Sequence, residues 1–120
     1  MAFTMIVNPN AGKHGGEAVA VQAAAELESR GIAVEQRVSQ SPGHAVTLAG
    51  EIDIGSAEGV IAVGGDGTLF EVLNGLYRRH NTVGIPIGQI PVGTGNSFLK
   101  DLQVESVGAV SYTHLRAHET

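Results

Sequence analysis

Short apolar runs alternate along this chain with longer stretches in which apolar residues recur every three or four positions. The first run, residues 3–7, is rich in strand-forming residues, and residues 8–16 after it are dense in Gly, Asn and Pro. Residues 17–30 carry apolar side chains at helical spacings, with Glu17 in the first turn, Arg30 in the last and Gly31 as a natural stop. The pattern therefore predicts a strand, a glycine-rich loop and a helix.

The same alternation continues towards the end of the chain. The later elements predicted are, in chain order, a strand at 32–38, a helix at 44–52, a strand at 59–63, a helix whose apolar face carries Leu69, Val72, Leu73 and Leu76, a strand at 86–92 and a short helix at 97–102. Residues 59–63 are continuously apolar, which is typical of a strand buried on both faces of a parallel sheet. Pro86 and Pro91 count against a central position for the last strand.

Strands that alternate with helices predict an α/β domain of three layers, in which a parallel sheet with right-handed crossovers lies between helices. Ligands bind such sheets at the carboxyl ends of the strands. Glycine-rich loops follow the first, third and last predicted strands, at 8–16, 64–68 and 93–96, so we expect them to converge at that edge. We assign residues 1–103 to this domain.

Residues 104–120 stay outside the predicted domain. Their last ten residues have no apolar periodicity and look like translated adapter sequence at the end of an assembled read, so we expect an artefact there.

Composition and charge narrow the class of function. The 120 residues suit one domain, and 12 acidic against 7 basic residues give a net charge of −5, the wrong sign for a nucleic-acid partner. The absence of cysteine excludes disulfides and thiolate metal sites, so the cytoplasm is the expected compartment. No apolar run approaches the roughly 18 residues of a membrane span, so any membrane contact would be peripheral.

The motif Gly-Gly-Asp-Gly-Thr at residues 64–68 stands between a predicted strand and a predicted helix. Backbone N–H groups without side chains in the way can approach phosphate oxygens there, and the helix dipole favours negative charge. Asp66 would be unfavourable among anions unless it binds Mg²⁺ or accepts a proton from an attacking hydroxyl, and both roles belong to phosphoryl transfer. Alternatively, the motif is a tight turn in which Asp66 caps the helix.

The two other glycine-rich loops carry weaker signals. Residues 8–16 contain no Walker sequence and are therefore not a P-loop. Asn8 and Asn10 could hydrogen-bond phosphate or ribose, or they could serve the turn alone. Residues 93–96 offer two glycines, a hydroxyl and an amide at another predicted helix start. The expected meeting of all three loops favours a ligand site.

Three motifs resemble, in order and spacing, those of the diacylglycerol kinase catalytic domain, which bacterial lipid kinases, diacylglycerol kinases, sphingosine kinases and ceramide kinases share. They are Asn-Pro-Asn-Ala-Gly at 8–12, the motif at 64–68 with Phe-Glu-Val-Leu-Asn-Gly-Leu at 70–76, and Pro-Val-Gly-Thr-Gly-Asn at 91–96. The resemblance covers residues 3–102. It implies an ATP-dependent kinase that transfers the γ-phosphoryl group to the hydroxyl of a lipid such as diacylglycerol or a sphingoid base, at the inner face of the membrane.

The resemblance also implies a set of site residues. ATP or its Mg²⁺ would be contacted by Asn8, Pro9, Asn10, Ser39, Gly64, Gly65, Gly67, Thr68, Glu71, Gly93, Thr94 and Gly95. Ser39 stands where the family often has a threonine. Asp66 matches a carboxylate that some members use as general base and others use near the metal, and both roles stay open.

Two departures from the family and two alternatives accompany this assignment. Ser97 replaces an aspartate of many bacterial members, and the β-rich second domain of the family is missing, so we expect the chain alone to be inactive. A relative of NAD kinase or phosphofructokinase would share the Gly-Gly-Asp-Gly loop, but the motifs at 8–12 and 71–75 favour lipid kinases over both. The remaining alternative is a nucleotide-binding module without catalysis.

Overall fold

The computed structural model describes residues 2–11, 15–81 and 83–92. Its elements, in chain order, are β1 (Phe3–Val7), α1 (Gly16–Ser29), β2 (Val34–Val38), α2 (His44–Gly50), β3 (Gly59–Val63), α3 (Asp66–His80) and β4 (Ile87–Ile90). The strands predicted at 3–7 and 59–63 have the predicted bounds, and every other described element has the predicted type. Where both ends were predicted, they are displaced by no more than two residues. The helix predicted at 97–102 and the boundary at 103 lie outside the described residues.

The four strands form one parallel sheet in the order β2-β1-β3-β4. The chain passes from β1 outwards to β2 and then crosses to the opposite side of β1 to form β3, so the direction of winding reverses between β1 and β3. Ligands of open parallel sheets bind at such a reversal, beyond the carboxyl ends of the strands. Residues 8 and 64, which directly follow β1 and β3, therefore mark the expected site.

Two apolar clusters show that the sheet lies between helices, which confirms the predicted three-layer α/β fold. On one face, α1 packs on alternate positions of the central strands; this cluster contains Phe3, Met5, Val7, Ala20, Ala23, Ala24, Leu27, Ile61, Val63 and Ile90. On the other face, α2 and α3 pack on the intervening positions, and the buried residues include Ile6, Ala49, Val60, Ala62, Leu69, Val72, Leu76 and Ile87. All five side chains of β3 are buried, as its continuous apolar run predicts.

The two edges of the described sheet differ in polarity. The side chains of β2 are partly or fully exposed, and an ion pair of 3.0 Å joins Arg37 to Glu35 on this strand. In contrast, all four residues of β4 are buried, although Pro86 precedes the strand and Pro91 follows it. β4 is the outermost strand of the described sheet on this side. Residues after 92 lie outside the described part of the chain, so the expectation that these prolines disfavour a central strand stays a prediction.

The contact between α2 and α3 is close because Gly75 carries no side chain. A Cβ atom at Gly75 would overlap the carbonyl oxygen of Val46 and would lie 2.8 Å from the Cβ of Ala49. This close approach sets the position of α3, whose first residues follow the glycine-rich loop. Among the described residues, no helix is both long and apolar enough to cross a membrane.

Candidate functional site

The loop between β3 and α3 presents bare backbone at the reversal point of the sheet. Gly64 has a φ of +155°, and a Cβ atom there would lie 2.5 Å from Thr68 Oγ1, so this position requires glycine. A Cβ atom at Gly65 or Gly67 would meet nothing within 4 Å. These two glycines therefore leave open space over the first N–H groups of α3, as a phosphate site requires.

Asp66 is the first residue of α3, and the N-cap position belongs to Gly65, which has no side chain. The alternative in which Asp66 acts as the helix cap is therefore wrong. Asp66 instead adds a negative charge to the first turn, where it interacts favourably with the helix dipole. Asp66 is exposed, so a ligand can reach its side chain.

Asn8 connects the loop after β1 to the start of α3. Its backbone N–H donates to Val63 O at 3.0 Å, and its side-chain Nδ2 donates to Thr68 Oγ1 at 3.4 Å. Its Oδ1 accepts the backbone N–H of Asn10 at 3.0 Å, the bond of an Asx turn. Asn8 thus serves the turn and also holds the two glycine-rich loops together.

A helix packs directly against the same loop. A Cβ atom at Gly16 would overlap the carbonyl oxygen of Asn8, so α1 can begin at this distance only with glycine at residue 16. The described part of the loop, residues 8–11, is therefore held between α1 and α3.

A cavity of about 250 Å³ opens beside these loops. It is lined by Asn8, Asn10, Ser39, Ser41, Pro42, Ala45, Thr68 and Glu71. Ser39 comes directly after β2, and its N–H donates to Val7 O at 2.9 Å, which places it level with the end of β1. Glu71 lies one helical turn after Thr68 on α3, so both side chains reach the same space.

The structure therefore divides the predicted site residues into two adjoining groups. The residues that line the cavity are Asn8, Asn10, Ser39, Thr68 and Glu71. Gly65 and the first two residues of α3, Asp66 and Gly67, form an exposed segment next to it. Pro9 is half-buried in the turn between Asn8 and Asn10. Gly93, Thr94 and Gly95 lie outside the described residues, as does the third glycine-rich loop.

One buried polar side chain of the sheet contacts the exposed loop. Gln89, in β4, is only 5% exposed, and its Nε2 lies 3.4 Å from Gly64 O and 3.4 Å from Asp66 Oδ1. Within residues 2–11, 15–81 and 83–92, no three His, Cys, Asp or Glu side chains come together as a metal-binding group. The described residues consequently form no all-protein metal cage.

Four residues of this region were not predicted from the sequence. Ser41, Pro42 and Ala45 belong to the turn before α2 and to its first helical turn, and no motif marks them as cavity residues. Gln89 did carry a signal, because it is a polar residue in a short strand that is otherwise apolar or glycine. A buried amide in such a strand needs hydrogen-bond partners, and two of them lie in the loop that carries Asp66.

Comparisons with known proteins identify the family to which this chain is similar. The model of the diacylglycerol kinase catalytic domain family matches residues 2–120. Sphingosine kinase 2 of Arabidopsis thaliana is 34% identical over 108 residues, which are 87% of this chain and 22% of that protein. Sphingoid long-chain bases kinase 1 of the same plant is 41% identical over 101 residues, which are 79% of this chain and 13% of that protein.

The solved structures give the same result for the fold. A diacylglycerol kinase from Bacillus anthracis str. Sterne superimposes with a TM-score of 0.62 at 25% identity, over 98% of this chain and 42% of that one. The chain thus spans about a fifth of the length of the sphingosine kinase and less than half of the bacterial kinase.

Proposed function

Because the chain belongs to the diacylglycerol kinase catalytic domain family, we propose that it forms the ATP-binding part of a lipid kinase. The intact enzyme transfers the γ-phosphoryl group of ATP to a lipid hydroxyl. The observation that carries this proposal is the single cavity that joins Asn8, Ser39, Thr68 and Glu71 beside the bare loop at residues 64–67.

The cavity suits the nucleoside of ATP. Its volume of about 250 Å³ is close to the lower limit of roughly 300 Å³ for small-molecule sites. The Ser39 hydroxyl and the Asn10 amide can donate and accept hydrogen bonds, while the Glu71 carboxylate can accept them from ribose hydroxyls or from the amino group of adenine. Pro42 and Ala45 supply the apolar surface against which a base can pack.

The phosphates would extend from this cavity over Gly65 and Gly67. The 15-residue helix α3 begins there, so its first N–H groups and the positive end of its dipole would point at the negatively charged phosphates. Thr68 lies between the cavity and the loop. Its hydroxyl, which accepts a hydrogen bond from Asn8, can donate a hydrogen bond to a phosphate oxygen.

Asp66 fits one position in the coordination of Mg²⁺. This ion is usually held by one or two carboxylates together with substrate phosphates and water, so the lack of a three-carboxylate group among the described residues does not conflict with it. Bound Mg²⁺ would neutralise the charge that builds up on the phosphates. Alternatively, Asp66 accepts the proton of the lipid hydroxyl, and its exposure leaves room for either role.

Relatives of this chain are named for sphingoid bases and for diacylglycerol, so we propose an acceptor of this chemical class, a long-chain lipid with a free hydroxyl. Such an acceptor resides in a membrane, so the intact enzyme would work from the cytoplasm in peripheral contact with the inner face. The residues that bind the lipid would come largely from the β-rich second domain expected for the family.

The test is isothermal titration calorimetry of the full 120-residue chain with ATP, in Mg²⁺ and in EDTA, and with NAD as the competing ligand. We expect binding of ATP and not of NAD. Asp66→Asn should weaken ATP binding in Mg²⁺, because one metal ligand is lost, and should not weaken it in EDTA, where the carboxylate only repels the triphosphate. Glu28→Gln, which removes one exposed negative charge on α1, is the matched control and should behave as wild type.

The two roles of Asp66 give different results in this experiment. If Asp66 serves only as general base, Asp66→Asn leaves the affinity in Mg²⁺ unchanged, and only phosphoryl transfer in the longer enzyme is lost. Preference of the folded chain for NAD, or binding of neither nucleotide, would refute the proposed function.

A further inference from the structure

Gln89 occupies a position where the surrounding sheet calls for an apolar side chain. It pairs in parallel register with Ala62 of β3, and both positions lie on the face that is covered by α2 and α3. Its neighbours in β4, Ile87 and Ile90, are fully buried and apolar. An amide at such a place costs free energy unless hydrogen bonds replace those that it made to water.

Two contacts of the Gln89 amide are made to the glycine-rich loop. A primary amide has two N–H donors, and its nitrogen lies 3.4 Å from the carbonyl oxygen of Gly64 and 3.4 Å from Oδ1 of Asp66. These are long hydrogen bonds from one group to the backbone and to the side chain of the same three-residue segment. Because Gln89 is 5% exposed, the contact is made from the inner side of the loop, opposite the solvent.

We infer that Gln89 is a positioning residue that holds the Asp66 carboxylate for its ligand. The role of Gln89 in ligand binding rests on the proposed function, while the contact between Gln89 and Asp66 does not depend on that function. Gln89 contacts Asp66 at Oδ1. Because β4 is paired with β3 and buried, this contact restricts the rotamers of the exposed aspartate.

The geometry has a direct consequence for nucleotide binding. Without the amide, Asp66 loses one of the contacts that orient its carboxylate before Mg²⁺ and ATP bind, so their affinity falls. We give the two long contacts together the strength of one ordinary net hydrogen bond, so their loss corresponds to about 3- to 10-fold. In EDTA, where Asp66 binds no metal, the same change should have little effect on ATP affinity.

Gln89→Met tests this inference because methionine has a similar length and adapts to a core position without offering N–H donors. We expect the ATP dissociation constant of the 120-residue chain to rise about 3- to 10-fold in Mg²⁺ and to stay within about 2-fold in EDTA. Gln36→Met, at an exposed position of β2, is the matched control and should leave both values unchanged.

A double-mutant cycle separates positioning from a general structural role. If Gln89 acts through Asp66, adding Gln89→Met to Asp66→Asn causes no further loss of affinity in Mg²⁺. Equal losses in both backgrounds, or no loss in either, would overturn the inference. Thermal melting of each variant shows which of them are folded.

A spectroscopic measurement keeps the inference testable if a variant fails to fold. In the ¹H–¹⁵N spectrum of the ligand-free chain, Asp66→Asn should shift the side-chain amide pair of Gln89 and leave those of Gln22, Gln36 and Gln40 in place. An unshifted Gln89 pair would show that the contact is absent and would overturn the inference without affecting the proposed function. Failure of the wild-type chain to bind ATP would instead count against the proposed function, and the amide shift alone would then decide the contact.

Discussion

Replacement of Gly67 by alanine should raise the stability of the fold and lower its affinity for ATP. Gly67 is the second residue of α3, and a Cβ atom there would meet nothing within 4 Å. Alanine at a compatible helical position stabilises a protein by about 0.4–1 kcal/mol, chiefly because the unfolded chain loses freedom. The added methyl group would, however, occupy the space through which we expect a phosphate group to reach the backbone.

The loss of binding can be estimated from the contacts that the methyl group would block. A hydrogen bond to a charged group contributes about 1.5–3 kcal/mol, so the loss of one N–H bond to phosphate weakens ATP binding about 10- to 100-fold. Urea denaturation measures the gain in unfolding free energy, and calorimetric titration with ATP and Mg²⁺ measures the loss of affinity.

Two further glycine variants serve as controls. Gly64→Ala places a methyl group 2.5 Å from Thr68 Oγ1 at a φ of +155°, so it should lose stability as well as binding. Gly50→Ala lies in α2, where the nearest atoms are at 3.5 and 3.6 Å, and it should change neither by much. If Gly67→Ala binds ATP as well as wild type while Gly50→Ala behaves as expected, the phosphates do not pass over Gly67 and the proposed orientation of the nucleotide is wrong.

Two other substitutions test the packing and the cavity. Gly75→Ala should destabilise the fold by about 1–3 kcal/mol in urea denaturation, because its methyl group would overlap the Val46 carbonyl oxygen between α2 and α3; an unchanged midpoint would show that the two helices can separate at little cost. Ser39→Ala should weaken ATP binding by up to about 10-fold in calorimetric titration, because one hydroxyl is lost from the cavity. Ser56→Ala, away from this cavity, should leave ATP binding unchanged. Equal affinities for both variants would exclude Ser39 from the nucleotide site.

The described strands and helices could be predicted because their signals are local. The apolar run at 59–63 required a strand buried on both faces, and β3 has these bounds. Helix α1 differs by one residue at each end from the prediction, since Glu17, Arg30 and Gly31 mark its limits in the sequence. The ends of β2 and α2 were less certain, because Ile32 and Ile52 are apolar but lie outside the regular elements.

The candidate site was predicted less completely than the fold, because only some of its residues belong to recognisable sequence motifs. Asn8, Ser39 and Glu71 were chosen by resemblance, and they line one cavity in the structure. Ala45 lies in the same wall, yet an alanine on an amphipathic helix gives no sign of this in the sequence. The alternative in which Asp66 caps the helix was wrong for a local reason, since the helix begins one residue earlier than that alternative requires and Gly65 takes the cap position.

The sequence by itself determined the order of strands and helices, the parallel α/β class and the bare loop at residues 64–67, because hydrophobic periodicity and glycine act over a few neighbouring residues. Only the tertiary structure decided which loops meet. The strand order β2-β1-β3-β4 brings Asn8 to Thr68, 60 residues away along the chain, and places Gln89 beneath Asp66. These contacts depend on the order of the strands in the sheet and on the close approach of α2 and α3 at Gly75. Hydrophobic periodicity is a local pattern along the chain, so it determines neither the strand order nor the distance between the two helices.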